Sequence, residues 1–208
     1  MNYLLSLLIG VMLGSIPTAY LLLRKKNIDV TKAGSGNVGA MNSYEVTNSK
    51  LIGLIVFAID SLKGLLSVWI AESLFGHKFE FMMIALIGAV LGHCYSFWIN
   101  FKGGRGLATA AGGALLISIP VLGIWVALWL VAYLFRRHIH FANFTATLLT
   151  GLLSFTSGDI LNKYASPSAA DTMNFSILVS LMLLIILSKH IVPIKEYFTG
   201  LAKNKKGD

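Results

Sequence analysis

The chain has 208 residues, of which 56% are hydrophobic and only 12% are charged, and its formal net charge is +8. Soluble domains usually contain about 25% charged residues, so this chain has too few charges to cover a soluble domain. Its apolar residues also occur in long blocks, which is typical of segments that face lipid. These features exclude an ordinary soluble protein and predict an all-α integral membrane protein, because an open chain in lipid must satisfy its backbone hydrogen bonds within helices.

Seven segments are apolar over about the length of one bilayer crossing, roughly 20 residues, although some are short. They are residues 3–23, 51–72, 81–99, 107–120, 121–136, 142–160 and 173–192. We divide the fourth from the fifth at Pro120, because proline breaks helices and the combined length exceeds one crossing; one long or re-entrant element is the alternative. We therefore expect a bundle of about seven transmembrane helices in a single domain, residues 1–208, with a basic tail from about residue 193.

The basic residues predict how this bundle is oriented. If the N-terminus lies outside, all but three of the 17 Lys and Arg residues fall on or beside one face of the membrane, and the exceptions are Lys63, Lys78 and Lys163. Cytoplasmic loops carry an excess of Lys and Arg, so this face and the C-terminus are predicted to be cytoplasmic and the protein to lie in the cell membrane. Residues 1–23 are expected to be a retained span, because no basic residue precedes them as in a signal peptide.

The same asymmetry explains the positive charge without a nucleic-acid partner. Several basic residues are interpreted as topology signals or contacts with anionic lipid head groups. These are Arg24, Lys25, Lys26, Lys203, Lys205 and Lys206. The single cysteine, Cys94, excludes an intrachain disulfide and a cysteine metal cluster. We expect neither a metal nor a cofactor.

A glycine-rich loop at residues 34–42 precedes the second predicted span. Glycine lets the backbone approach a ligand closely, and successive N–H groups ahead of a helix can hold a phosphate. The residues expected to contact it are Gly34, Ser35, Gly36, Asn37, Gly39 and Asn42. A flexible connector is the alternative, because a glycine loop alone is weak evidence.

A second loop, Phe101-Lys102-Gly103-Gly104-Arg105-Gly106, leads into the fourth predicted span. Two cations lie among three glycines at the start of a helix, so charge and exposed N–H groups coincide, as phosphate binding requires. The glycine spacing differs from that of a P-loop. The alternative is that Lys102 and Arg105 only mark the cytoplasmic side.

Polar residues within the predicted spans form a third candidate group. Asp60 and Lys63 are three residues apart and share a helix face, where charges are costly unless they are paired or hydrated. A structural ion pair is one interpretation, and a polar path to the active site, with His93 and His190, is the other. Elsewhere, Gly10 with Gly14 and Gly88 with Gly92 give two GxxxG spacings, which favour close helix packing.

Several motifs occur in an order that resembles the bacterial acyl-phosphate-dependent glycerol-3-phosphate acyltransferase family. The first is Gly14-Ser15-Ile16-Pro17-Thr18-Ala19-Tyr20, followed by Gly34-Ser35-Gly36-Asn37-Val38-Gly39-Ala40 and Asn42. Asp60-Ser61-Leu62-Lys63-Gly64 comes next, then Gly92-His93 and residues 101–109. Several ordered motifs are more specific than one glycine loop.

The resemblance implies a seven-span enzyme without cofactors that moves a fatty acyl group from acyl phosphate to the 1-hydroxyl of glycerol 3-phosphate, giving lysophosphatidate for phospholipid synthesis. Both glycine-rich loops would then bind phosphate, while membrane lipids surround the bundle. The implied catalytic residues are Ser35, Lys102, Arg105 and His190; Gly103, Gly104 and Gly106 would bind phosphate, and Asp60, Lys63 and His93 would support the site.

The chain departs from this family pattern in three places. Met41-Asn42 is followed by Glu45 where the family has arginine, His140-Phe141-Ala142-Asn143 replaces a serine motif, and Pro193-Ile194 and Glu196 follow the retained His190. A carboxylate at Glu45 would repel a phosphate. One alternative is therefore a catalytically weak or inactive paralogue that binds acyl phosphate or lipid. The other is a small transporter, which the charged residues Asp60 and Lys63 within a predicted span suggest.

Overall fold

The computed structural model describes residues 1–204, and all of their regular structure is helical. The helices are α1 (Asn2–Gly14), α2 (Thr18–Arg24), α3 (Ala40–Thr47), α4 (Lys50–Phe75), α5 (Phe79–Cys94), α6 (Leu107–Ile117), α7 (Ile119–Arg136), α8 (Ile139–Thr156), α9 (Gly158–Lys163), α10 (Thr172–Ser188) and α11 (Ile191–Asn204). A 3₁₀ turn, Phe97–Ile99, follows α5. Lys205 and Lys206, two of the predicted topology signals, lie outside the described residues.

Fewer segments meet the length and composition of a membrane crossing than the sequence predicted. Within residues 1–204, four qualify: Asn2–Arg24, Lys50–Phe75, Phe79–Ile99 and Ile119–Arg136. Thr172–Ser188 with Ile191–Gly200 adds a fifth if the pair, bent by 51°, is counted as one span. The fourth predicted span fails because of its length: the 11 residues of α6 extend only about 16 Å, roughly half of a hydrocarbon core.

The boundary between α6 and α7 shows why one apolar stretch became two helices. The chain leaves the helical conformation at Ser118, whose hydroxyl accepts a hydrogen bond from the N–H of Val121 at 3.4 Å. Pro120 lies in the first turn of α7, where its missing N–H costs nothing. The predicted division is confirmed, although the break comes two residues before the proline.

The glycines of the two GxxxG spacings bring α1 and α5 into contact. A Cβ atom built on Gly10 or Gly14 would collide with the backbone of α5, and one built on Gly88 or Gly92 would collide with the backbone of α1. The predicted role of these glycines in close helix packing is confirmed. Since most residues of α5 are buried, more than in the other candidate spans, it forms the centre of the bundle.

A second glycine contact fixes the short helix α6. A Cβ atom on Gly64 of α4 would collide with the carbonyl oxygen of Thr109, and one on Gly112 would collide with that of Ser61. The backbones of α4 and α6 therefore touch directly. This contact holds the first turn of α6, and with it the loop that carries Arg105, against the rest of the bundle.

Candidate active site

The first glycine-rich loop is folded around the side chain of Asn42. Its Oδ1 accepts a hydrogen bond from the N–H of Ser35 at 2.9 Å, and its Nδ2 lies 2.9–3.4 Å from the carbonyl oxygens of Val30, Ala33 and Asn37. Asn42 is 1% exposed. Because both ends of the amide are engaged, Asn42 holds the loop in shape, and a contact of its own with phosphate stays a prediction.

Two glycines of this loop need the conformational freedom that only glycine has. Gly34 and Gly36 have φ values of +58° and +70°, in the left-handed region that side chains disfavour. A Cβ atom on Gly34 would also collide with Asn42. These two glycines therefore have a structural reason to be present, whatever the loop binds.

The second glycine-rich loop lies against the first and against the end of α5. The N–H of Gly104 donates to the carbonyl oxygen of His93 at 3.0 Å, and the N–H of Val38 donates to that of Gly103 at 3.4 Å. A Cβ atom on Gly104 would collide with the imidazole of His93. Gly106, with φ +84°, is the N-cap residue that directly precedes α6. The structure thus brings together two loops that are about 60 residues apart in the chain.

A polar cavity of about 320 Å³ lies between these loops and the start of α8. It is lined by Ser35, Asn37, Met41, Asn42, Glu45, Arg105, Tyr133, Arg137, His138, Ile139, His140 and Asn143. Its charged groups are two arginines and one carboxylate. A cavity of this size with two guanidinium groups can hold a phosphate ester.

Arg105 is the half-buried cation of this cavity. Its Nη1 lies 3.2 Å from Nδ1 of His140. Burial lowers the pKa of Arg105, while the carboxylates of Glu45 and Glu196 act in the opposite direction. A guanidinium keeps its proton in proteins, so Arg105 presents a positive charge with reduced hydration, which strengthens its attraction for an anion.

An apolar cavity of about 500 Å³ borders the polar one. It lies among α4, α6, α7, α8 and α10, and its lining is Phe57, Leu107, Ala108, Ala110, Ala111, Ala114, Val121, Leu122, Trp125, Val126, Trp129, Ile139, Asn143, Thr150, Met182, Leu183 and Ile186. Ile139 and Asn143 line both cavities. The pair therefore offers a polar end and an apolar end to one amphipathic molecule.

Hydrogen bonds fix the wall where the two cavities meet. The indole N–H of Trp129 donates to Oδ1 of Asn143 at 2.7 Å, and that of Trp125 donates to the hydroxyl of Thr147 at 3.0 Å. The Trp129 ring also stacks on Tyr133, with ring centroids 5.1 Å apart. The two hydrogen bonds join α7 to α8, so the junction is a built feature of the fold.

The chain matches known proteins along nearly its whole length. The family model for glycerol-3-phosphate acyltransferase matches residues 4–200. The chain belongs to the glycerol-3-phosphate acyltransferase family. It is similar to glycerol-3-phosphate acyltransferase 2 of Moorella thermoacetica, with 39% identity over 73% of this chain and 77% of the relative. The acyltransferase of Aquifex aeolicus is 35% identical over 78% of this chain and 84% of the relative.

Solved structures of the family share the fold. The crystal structure of PlsY (YgiH), an integral membrane glycerol 3-phosphate acyltransferase, in its glycerol 3-phosphate form matches with a TM-score of 0.79 and 30% identity, over 96% of this chain and 94% of that one. Its lysophosphatidic acid form matches with a TM-score of 0.77. The chain therefore has the fold of an integral membrane acyltransferase.

The structure brings some of the predicted acyltransferase residues together at the polar cavity and leaves others outside it. Ser35, Asn37, Asn42 and Arg105 line the cavity, whereas the side chain of Lys102 is exposed and is not part of the lining. His190 is fully buried. Its Nδ1 donates to the carbonyl oxygen of Ile186 at 2.9 Å, and its Nε2 has no hydrogen-bond partner within residues 1–204. The roles of these residues stay predictions.

Asp60, Lys63 and His93 form a separate buried cluster in the acyltransferase. Lys63 Nζ lies 2.9 Å from Oδ1 of Asp60 and donates to the carbonyl oxygen of Ile16, in the break between α1 and α2, at 3.0 Å. Nδ1 of His93 lies 3.7 Å from the same Asp60 oxygen. The space beside the cluster has no room for a water molecule. This geometry supports the interpretation as an ion pair that joins helices, not as a polar path.

Four residues of the polar cavity were not recognised from the sequence: Tyr133, Arg137, His138 and Ile139. His140 was noted only as the first residue of the stretch that replaces the family's serine motif. The density of arginine and histidine just before a helix is the signal that could have indicated an anion site.

Proposed function

We propose that the protein transfers a fatty acyl group from acyl phosphate to the 1-hydroxyl of glycerol 3-phosphate and releases lysophosphatidate for phospholipid synthesis. The observation that carries this proposal is the junction at Ile139 and Asn143, where a polar cavity with two arginines meets a long apolar cavity. The solved relatives, described in a glycerol 3-phosphate form and a lysophosphatidic acid form, support the same pair of ligands.

The two cavities divide the substrates by polarity. The acyl chain of the donor occupies the apolar cavity, where its burial supplies most of the binding energy, about 0.8 kcal/mol for each CH₂ group. The phosphates occupy the polar cavity beside Arg105 and Arg137. The acyl carbonyl then lies near Ile139 and Asn143, within reach of a hydroxyl bound on the polar side. Holding both reactants in this arrangement removes much of the entropic cost of their encounter.

The chemistry needs no protein nucleophile, because acyl phosphate is already activated. The glycerol hydroxyl oxygen attacks the acyl carbon, and an ester C–O bond forms. The bond between the acyl carbon and the phosphate oxygen breaks, and inorganic phosphate leaves. The proton of the hydroxyl passes to a phosphate oxygen, so that the step is balanced. Arg105 stabilises the negative charge that develops on the carbonyl oxygen or on the leaving phosphate.

The remaining predicted residues have supporting roles in this proposal. Ser35 and Asn37 line the polar cavity but not the apolar one, and they hydrogen-bond glycerol 3-phosphate. Lys102, exposed three residues before Arg105, attracts the anionic substrates to the loop. His190 is fully buried and lines neither cavity, so its supporting role is the hydrogen bond from its Nδ1 to the carbonyl oxygen of Ile186 near the end of α10.

We also propose that the site faces the cytoplasm in the cell membrane. In this arrangement the crossings are α1 with α2, then α4, α5, α6, α7, α8 and α10, with the N-terminus outside. This gives the seven predicted from the sequence when α6, with 11 residues, is counted as a short crossing packed against α4. The polar cavity, both glycine-rich loops and most of the basic residues lie at the same end of these helices. Basic residues favour the cytoplasmic side, where soluble glycerol 3-phosphate can reach the cavity.

One observation favours the alternative of a weak or inactive paralogue. Glu45 lines the polar cavity, where its negative charge opposes phosphate binding. The carboxylate acts on Arg105, so part of its charge is offset within the site. The buried charges that suggested a transporter no longer support one, because Asp60 and Lys63 bind each other in a closed cluster.

Genetic complementation tests the proposed function in a native membrane. Expression of the chain in a bacterium that lacks its own acyl-phosphate-dependent acyltransferase is expected to restore growth without added lysophosphatidate. Protein abundance in the membrane fraction is measured alongside growth. An inserted, abundant protein that fails to restore growth would favour the inactive paralogue.

A further inference from the structure

We propose that His140 is a binding residue for the head group of acyl phosphate, and that it acts as a neutral hydrogen-bond donor through Nε2. This inference rests on the proposed function and names the subsite for the acyl donor. It assigns a role to a residue that takes the place of the family's serine motif in this chain. The geometry of Arg105, the register of α8 and the junction of the two cavities carry it.

The contact between Arg105 and His140 fixes which imidazole nitrogen carries the proton. The guanidinium group has only donors, so at 3.2 Å from Nη1 of Arg105 the Nδ1 atom of His140 must be the acceptor. A neutral imidazole with an accepting Nδ1 carries its hydrogen on Nε2. His140 can therefore donate to a ligand from Nε2, and in this state it cannot remove a proton there.

The neighbouring imidazole, that of His138, has the same arrangement of an accepting Nδ1 and a donating Nε2. Nδ1 of His138 accepts a hydrogen bond from the backbone N–H of Phe141 at 3.3 Å, so its hydrogen also lies on Nε2. Its ring packs against Tyr197 of α11, with centroids 4.1 Å apart, and meets the His140 ring at 5.5 Å. Both imidazoles thus add donors to a cavity that already contains Arg105, and the combined set is suited to an anion.

The position of His140 on α8 selects the acyl donor over glycerol 3-phosphate. Ile139 and Asn143 line both cavities. His140 directly follows the first of them and is three residues before the second. Residues three apart lie on neighbouring positions of a helix face. A molecule whose tail fills the apolar cavity and whose head group lies in the polar one passes this junction, so its head group is beside His140. Glycerol 3-phosphate has no tail and takes the remaining space toward Ser35 and Asn37.

Two substitutions of similar size test the donor at Nε2. In His140→Gln the amide nitrogen can reach the place of Nε2 and donate, whereas in His140→Asn the shorter amide can reach only the place of Nδ1. A hydrogen bond to a charged group accounts for about a tenfold to a hundredfold change in affinity. We expect H140N to raise the KM for acyl phosphate by this factor with the KM for glycerol 3-phosphate within threefold, and H140Q to stay near wild type. His77→Ala, an exposed histidine outside the cavity, is the control.

Binding of a stable acyl phosphonate, with a methylene group in place of the bridging oxygen, separates this inference from the proposed function. The thermal shift that this probe produces in purified protein is expected to be retained in H140Q and largely lost in H140N, even if the wild-type protein does not turn over. Equal defects in H140Q and H140N, an unchanged KM in H140N, or a rise confined to the KM for glycerol 3-phosphate would overturn the assignment. The melting temperature of each variant without ligand checks that it is folded.

Discussion

Replacing Arg105 with alanine is expected to lower kcat/KM for acyl transfer by about a hundredfold to a thousandfold, with little change in the melting temperature. Arg105 is the half-buried guanidinium of the polar cavity, and its charge is directed to the place where the donor phosphate is expected. No other described side chain of that cavity combines a positive charge with contact to His140. Steady-state phosphate release by the purified variant, with both substrates varied, measures the effect.

Two further arginine variants make the Arg105 test specific. Arg105→Lys keeps a positive charge but loses the planar set of donors, so an intermediate loss is expected. Arg136→Ala is the matched control, because Arg136 is exposed and lies over the rings of Phe135 and Phe141, outside the cavity. If R105A keeps wild-type kcat/KM, or if R136A loses as much activity as R105A, the cavity does not hold the reacting phosphate.

Replacing Asp60 with alanine is expected to cost about 3–5 kcal/mol of stability, because the charge of Lys63 would be left buried without its carboxylate. Asp60 and Lys63 are 2% and 6% exposed, and their contact links α4 to the carbonyl of Ile16 in the break of the first span. The melting temperature and the denaturant midpoint in detergent measure the loss.

The double variant Asp60→Ala, Lys63→Met distinguishes a buried charge from a simple loss of packing. Removing both charges is expected to recover a large part of the stability that D60A loses, since methionine can fill the space of the lysine stem. Asp29→Ala is the control, because the pair of Asp29 with Lys32 is on the surface and is expected to contribute far less to stability than the buried pair. A double variant that is less stable than D60A would show that the pair is not what holds these helices.

The helical bundle was predictable from the sequence because its signals are local. Long apolar blocks, the helix break beside Pro120 and the GxxxG spacings each depend on neighbours in the chain, and the structure confirms the helices and the close contact of α1 with α5. The number of membrane crossings was harder to predict, because it depends on where each helix ends. The capping of α7 by Ser118 ends α6 after 11 residues, and this cap is not visible in an average of hydropathy.

The candidate site was only partly predictable, because its walls come from distant parts of the chain. Ser35, Asn37 and Arg105 were found from glycine-rich motifs, which are recognisable in isolation. Arg137 was not singled out from the sequence, and His140 was noted only as a departure from the family's serine motif. They became site residues only because the start of α8 packs against the loop that carries Arg105. The apolar cavity could not be predicted at all, because it exists only between packed helices.

The glycine motifs also show how one residue pattern can have two causes. They were interpreted as phosphate contacts, and the loops do line a cavity with arginines. The structure shows in addition that Gly34 adopts a positive φ and that Gly104 lies directly against the imidazole of His93. A substitution at either glycine would therefore disturb the loop itself, so loss of activity there would not identify a ligand contact.

Product formation by the purified protein tests the central claim most directly. Wild-type protein in detergent, given a long-chain acyl phosphate and glycerol 3-phosphate, is expected to release one inorganic phosphate for each molecule of 1-acyl lysophosphatidate detected by mass spectrometry, and to release none above background without glycerol 3-phosphate. Folded wild-type protein that forms no lysophosphatidate from donors of several chain lengths would contradict the account.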